Sequence, residues 1–236
     1  MMRVPTTDVF ASTGILTALL FCACSPQPPP PEIMVLPRET EAELPRKVNL
    51  DVPFSTQAPF ADWEDPRQQE GCEEMSLLMV HHYLEGTDLE PQQALDELMA
   101  LSDWEKQHGY TLDVTLTELA RIAEEYYGHE TTVIEDVSVD TIKRLLASGH
   151  PVIVPAAGRK LGNPYFSGEG PWYHMLVLTG YDGKRFITND PGTRRGKGYE
   201  YTYDVLLGAI HDWTGVKEEI STGQKRLLIL DKTGQL

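Results

Sequence analysis

The spacing of apolar residues changes once along this chain, near residue 150, and that change limits the folds open to it. Before it, apolar side chains recur at three and four positions. Residues 73–84 place Leu77, Leu78, Val80 and Leu84 at spacings that suit a buried helix, and Gly86 supplies a stop. A second helix is predicted over residues 91–101, opening on a helix-compatible Pro91. A third, over 116–127, follows Thr115 with Glu118 three residues on, the pattern of reciprocal N-terminal capping, and closes at Gly128. A fourth, over 139–147, stands behind Ser138 and ends at Ser148-Gly149. After it, the period shortens to two. Val152-Ile153-Val154 reads as a short buried strand, and residues 173–181 and 184–189 flank Asp182-Gly183 as a hairpin. Residues 226–230 predict a last strand, and residues 48–54 an early one. Helices first and an antiparallel sheet afterwards give an α+β fold, with the N-terminal helical part packed on the sheet.

The folded part begins at residue 48. Ahead of it, Arg3 precedes an apolar stretch, residues 9–23, too short to span a bilayer comfortably, which reads as a signal peptide. It ends Leu20-Phe21-Cys22-Ala23-Cys24, which resembles a bacterial lipobox with Cys24 as the lipidated residue. Phe21, Cys22 and Asp8 depart from that pattern. Residues 25–47 are rich in Pro and Glu, with prolines at 28 to 31, and form an extended tether. The expected organisation is therefore signal peptide 1–24, tether 25–47 and one domain 48–236. It implies an exported, membrane-anchored monomer of the cell envelope.

Charge narrows the partners. Lys and Arg number 20 against 36 Asp and Glu, and a net charge of −16 repels phosphate backbones, so nucleic acid is not an expected partner. The cysteines number three; with Cys22 removed and Cys24 acylated, Cys72 is the one thiol left. It stands in Gly71-Cys72-Glu73-Glu74 at the start of the first helix. There the unpaired backbone amides favour a thiolate, the form that attacks carbonyl carbon. Gly71 allows close backbone approach. The two glutamates suit the helix dipole but oppose the thiolate if they point at the sulfur, so an imidazole is needed nearby.

His174 is the candidate base. It opens the apolar run Met175-Leu176-Val177-Leu178, and pairing about Asp182-Gly183 sets it opposite the region of Asp190 and Pro191. Asp190 is the preferred group to orient the ring, with Asn189 the alternative should the register shift by one. For the oxyanion, the N–H of Cys72 and a glutamine amide are the expected donors, with Gln57 preferred over Gln68 and Gln69. His81 and His82 are adjacent on a helix, so their side chains diverge by about 100°. No metal site or cofactor is expected. Tyr165, Phe166, Trp172 and Tyr173 form an aromatic group ahead of His174 that suits packing or a cleft-lining loop.

Val52-Pro53-Phe54 through Gln57, Gly71-Cys72, Trp172-Tyr173-His174, Gly180-Tyr181-Asp182 and Asn189-Asp190-Pro191 together resemble the bacteriocin-processing-type peptidases. The likeness is to the stand-alone, C39-like branch of that papain-like family. The resemblance implies a papain-like fold and a cysteine peptidase in which Cys72 is nucleophile, His174 base, Asp190 its orienter and Gln57 part of the oxyanion hole. It implies peptide or protein substrates. Two departures stand out: residues 58–71 lengthen the interval between Gln57 and Cys72, which suggests an insertion shaping the cleft, and Glu73 replaces a frequent glycine. Two further readings share the same residues, a peptide-binding module without turnover and an acyl transferase of cell-wall amidase or transglutaminase type.

Overall fold

The computed structural model describes residues 43–233. The expected signal peptide, Cys24 and the tether as far as residue 42 lie outside the described residues. The described residues form one antiparallel sheet of seven strands: β1 (Val48–Asn49), β2 (Glu130–Ile134), β3 (Val152–Ala157), β4 (Tyr173–Tyr181), β5 (Arg185–Asn189), β6 (Lys197–Thr202) and β7 (Leu227–Asp231). Their order is β2-β7-β3-β4-β5-β6, and β1 pairs with the far end of β4. The helices are α1 (Pro66–Gln69), α2 (Cys72–Glu85), α3 (Pro91–His108), α4 (Leu116–Ile122), α5 (Val139–Ala147), α6 (Gly158–Leu161) and α7 (Tyr203–Ala209). The fold is α+β, as the change of period implies.

Strand β4 is buried along its whole length because its two faces carry separate cores. Met175 and Val177 pack with Met75, Met79 and Leu98 of α2 and α3, whereas Leu176 and Leu178 pack with Ile142, Leu146 and Leu206 of α5 and α7. α2 lies against β4, and every residue from Cys72 to Val80 is buried. Its end is set by Gly86 in the left-handed region (φ 68°), whose N–H meets the His82 and Tyr83 carbonyls.

Local signals account for most boundaries. The Ser138 side chain accepts from Thr141 N, and Thr115 with Glu118 completes the capping box. α3 runs past its expected end at Leu101 to His108, because Leu101, Ser102 and Glu105 are buried and Gly109 (φ 87°) supplies the stop. The last turn of the third predicted helix widens to a π turn over Ala123–Tyr127. Consecutive aromatics there reach different helices: Tyr126 meets Trp104, and Tyr127 stacks on His81 at 4.0 Å. The early strand expected over 48–54 is paired only at Val48–Asn49. Beyond it the Asn189 amide donates to the carbonyls of Val52 and Pro53, which turns the segment out of the sheet. β2 and β6 are edge strands of largely polar sequence and gave no apolar alternation to read.

The hairpin pairs Val177 with Asn189 and Leu178 with Thr188, one position beyond the expected register, and a bulge follows before Gly180. Gly180 is required there by close approach, since a Cβ would lie 2.2 Å from the Val48 carbonyl oxygen. Gly180→Ala is expected to displace β1 and to destabilise the fold by about 1–3 kcal/mol, the usual range for overpacking. Urea unfolding measures it, and an unchanged midpoint would show that β1 moves aside freely.

Candidate active site

Cys72, His174 and Gln57 line one open cavity of about 690 Å³, together with Trp63, Gln69, Tyr165, Phe166 and Trp172. Cys72 is the first residue of α2, so its own N–H has no intrahelical acceptor. Gly71 ahead of it is spoken for by the chain itself: a Cβ would lie 2.3 Å from the Arg67 carbonyl oxygen and 3.0 Å from Leu98. The space at this glycine, expected to admit close approach of substrate, is taken instead by α1, within the 58–71 insertion. The insertion also lays Trp63, Gln69 and Glu70 along the cavity.

His174 donates from Nε2 to Asp190 Oδ1 at 2.8 Å, and both residues are almost fully buried. Asp190 receives three further hydrogen bonds, from Gly192 N (3.0 Å) on Oδ1 and from Tyr201 Oη (2.7 Å) and Asn163 Nδ2 (3.2 Å) on Oδ2. Burial alone pushes this carboxyl up; His174, Tyr201 and the Gly192 amide outweigh it and hold it below its ordinary value. An ionised carboxylate only accepts, so Nε2 carries the proton and Nδ1 is the basic nitrogen. Phe166 stands edge-on to the imidazole at 5.2 Å, and Gly192 leaves it room, since a Cβ there would lie 2.8 Å from Cε1. Asn189 points away from the ring: it donates to Val52 and Pro53 and accepts from Gly198 N.

The thiol has a different partner from the one its chemistry needs. Cys72 Sγ donates to Glu73 Oε2 at 2.9 Å, and no hydrogen bond joins it to His174 among the described residues. Burial first, then the Glu73 and Glu74 carboxyls, push the thiol well above its ordinary value. Burial and Glu74 likewise raise Glu73. The glutamate next to the cysteine therefore does point at the sulfur. Glu73 Oε1 accepts from Val114 N at 3.3 Å, and the Val114 carbonyl accepts from Tyr173 Oη at 3.0 Å. One residue, Val114, thus ties the start of α2 to the strand that carries His174.

Gln57 is buried, its N–H donates to the Pro191 carbonyl, and its side-chain amide donates to the carbonyls of Gln68 (3.0 Å) and Gln69 (2.7 Å). Both amide protons are engaged as the site stands, and Oε1 has no partner among the described residues. Gln68, within α1, is buried, while Gln69 reaches the cavity with Gln57. His81 and His82 go separate ways: His82 is held by Thr87 and Glu97, and His81 by His129.

A family model described as the Peptidase_C39 like family matches residues 49–220. The chain belongs to the Peptidase_C39 like family. Among solved structures, a protein from Bacillus anthracis assigned to the C39-like peptidases aligns at 18% identity over 80% of this chain and 98% of its own, with a TM-score of 0.53. Xylellain, a cysteine protease from Xylella fastidiosa, aligns at 16% identity over 81% and 88% of the two chains, but its TM-score of 0.34 is too low to bear on this chain. No curated protein sequence matches. The family match and the fold agree, with mixed helices on an antiparallel sheet.

Within this C39-like frame two contributors were not read from sequence. Tyr201 lies on polar edge strand β6 and Asn163 beyond α6, and Asn163 carries no local signal. The alternating Tyr199 and Tyr201 around an edge strand were the only hint. Glu73 yields a test. Two acids 2.9 Å apart do not both ionise cheaply, so the one that ionises first raises the other. Glu73→Gln keeps the Val114 contact and removes the charge. The pH at which Cys72 reaches half-maximal iodoacetamide alkylation should fall, though not to that of a free thiol, because burial persists. An unchanged profile would mean Glu73 does not govern the thiol.

Proposed function

We propose that the protein is an extracytoplasmic cysteine peptidase that hydrolyses peptide bonds through Cys72, His174 and Asp190 by way of a thioester. The observation that carries this reading is that the thiol and a carboxylate-oriented imidazole line one cavity in a C39-like chain. In the reaction the Cys72 proton passes to His174 Nδ1 and Sγ attacks the scissile carbonyl. The Cys72 N–H and the Gln57 amide stabilise the oxyanion, which requires Gln57 to release one of its two carbonyl partners. The imidazolium then protonates the leaving amine, and water activated by the same nitrogen cleaves the thioester.

Asp190 holds the ring in the tautomer this sequence needs. Because its pKa is lowered, its contribution to stability is complete above its ordinary value of 3.8 and is lost as pH falls through the lower, folded value. The Cys72–Glu73 hydrogen bond favours a second reading, a peptide-binding domain without turnover, and mutagenesis separates the two.

Cys72→Ala and His174→Ala should each abolish turnover of a peptide substrate while leaving the thermal midpoint of folding near that of the parent. Asp190→Asn should reduce the rate more than Asn189→Ala, and Gln57→Ala should lower it on the order of 100-fold to 1,000-fold with little change in binding. A parent protein that cuts no peptide, or a Cys72→Ala variant that still does, would refute the hydrolase reading.

The anchor belongs to the same proposal. An exported peptidase tethered by lipid on Cys24 would act at the membrane surface, and mass spectrometry of the protein from a bacterial membrane fraction should find diacylglycerol on an N-terminal Cys24. An intact Met1 or a cut elsewhere would overturn it.

A further inference from the structure

The cavity that holds Cys72 has a charge opposite to that of the chain. Its charged lining residues are Arg194, Arg195 and Lys217 against a single carboxylate, Glu70, in a protein of net charge −16. Lys217 is committed, to Glu70 at 3.4 Å and Asp113 at 3.9 Å. Arg67, Arg159, Arg185 and Arg226 each have an acidic partner, whereas Arg46, Arg121 and Arg144, which do not line this cavity, have none among the described residues. Arg194 and Arg195 have none among the described residues. Arg195 instead rests its guanidinium over the Tyr165 ring, 4.8 Å from the centroid, which holds it in place while leaving its N–H groups unpaired.

These two residues are fixed relative to the chemistry. They follow Asp190 by four and five positions in a loop that turns tightly: Gly196 N bonds the Thr193 carbonyl, Arg195 N bonds Thr193 Oγ1, and a Cβ on Gly196 would lie 1.8 Å from the Asp190 carbonyl oxygen. At its near end Gly192 touches the imidazole. From Gly192 to Arg195 the chain spans at most about 10 Å, which an extended peptide covers in roughly three residues.

We propose, resting on the peptidase reading above, that this cleft selects peptides with acidic side chains within about three residues of the scissile bond, bound by Arg194 and Arg195. Guanidinium groups suit carboxylates because their paired N–H donors meet both oxygens. The surrounding carboxylates repel such a substrate only at long range. At physiological salt the screening length is about 8 Å, so distant charges are damped more than the two arginines at contact distance.

The test uses two fluorescein-labelled eight-residue peptide libraries, one with Glu fixed at two central positions and the other with Lys there. Binding is followed by fluorescence anisotropy on the full chain carrying Cys72→Ala, so that it does not depend on turnover. The Glu library should bind roughly tenfold more tightly at physiological salt, the margin should shrink as NaCl rises, and Arg194→Glu with Arg195→Glu should reverse it. The neutral pair Arg194→Gln with Arg195→Gln should abolish the margin without reversing it, which separates charge from any local misfolding. Equal binding, tighter binding of Lys peptides, a preference that survives the reversal, or no binding of either library up to millimolar concentration would overturn the proposal. Preference for Glu peptides in a parent protein that cuts neither library would uphold the acidic selection and refute the hydrolase reading instead.

Discussion

The structure around the candidate site depends on one buried charge, the carboxylate of Asp190. A lone carboxylate out of water costs several kcal/mol, more than most single contacts return, so it persists only where donors replace the lost hydration. Four donors do so here, from four places in the chain: His174 on β4, Gly192 in its own loop, Tyr201 on β6 and Asn163 beyond α6. Each would be left costly and unpaired if its segment moved. The carboxylate therefore fixes the imidazole and also pins the edge of the sheet and the loop before it. The glycines at 192 and 196 follow from the same crowding, since a Cβ at either would collide with the imidazole or the Asp190 carbonyl.

The Cys72 thiol is governed by the opposite balance. A helix N-terminus favours an anion by about 0.3–1 kcal/mol, reaching about 2 kcal/mol in the best buried cases. Burial of an anion costs more than that, and the first turn of α2 adds Glu73 and Glu74 beside the thiol. The dipole loses. Glu74 is itself raised to about 7 by burial, and the adjoining Glu105 to about 11. Burial at the first turn of α2 and on the facing turn of α3 thus favours the protonated forms of Cys72, Glu73 and Glu105. In the proposed reaction, proton transfer to His174 Nδ1 would have to coincide with substrate engagement, when the oxyanion donors and the bound carbonyl give the developing charge somewhere to go.

What could be read from the sequence was what is encoded locally. Ser138 with Thr141, Thr115 with Glu118, and the glycines at 86 and 128 mark helix ends within a few residues, and the observed caps use those groups. The hairpin brought His174 to the region of Asp190 because a two-residue period and a turn fix register to within a position. The choice between Asn189 and Asp190 could not be made that way. It turns on side-chain direction, and Asn189 is drawn off by the Val52 and Pro53 carbonyls, a long-range contact no local pattern contains. Tyr201 and Asn163 escaped for the same reason. The preference for Gln57 over Gln68 and Gln69 rested on its place after an early strand, from which a loop could deliver it, and the structure brings Gln57 and Gln69 to the cavity, with one bonded to the backbone of the other.

Net charge shows most sharply how a whole-chain property differs from a local one. A value of −16 describes the far field and argues soundly against a phosphate backbone, which meets the molecule over tens of ångströms. It says little about contact distances within one cleft, where salt damps the distant charges over about 8 Å. The sign there is set by which charges are already neutralised, and in this fold pairing consumes Lys217 while leaving Arg194 and Arg195 beside the imidazole loop. The acidic exterior then has a separate consequence. It lowers the local concentration of any acidic peptide outside the cleft, so recognition has to come from contact within it, where the Arg195 guanidinium rests over the Tyr165 ring and a tight turn positions the backbone that carries both arginines.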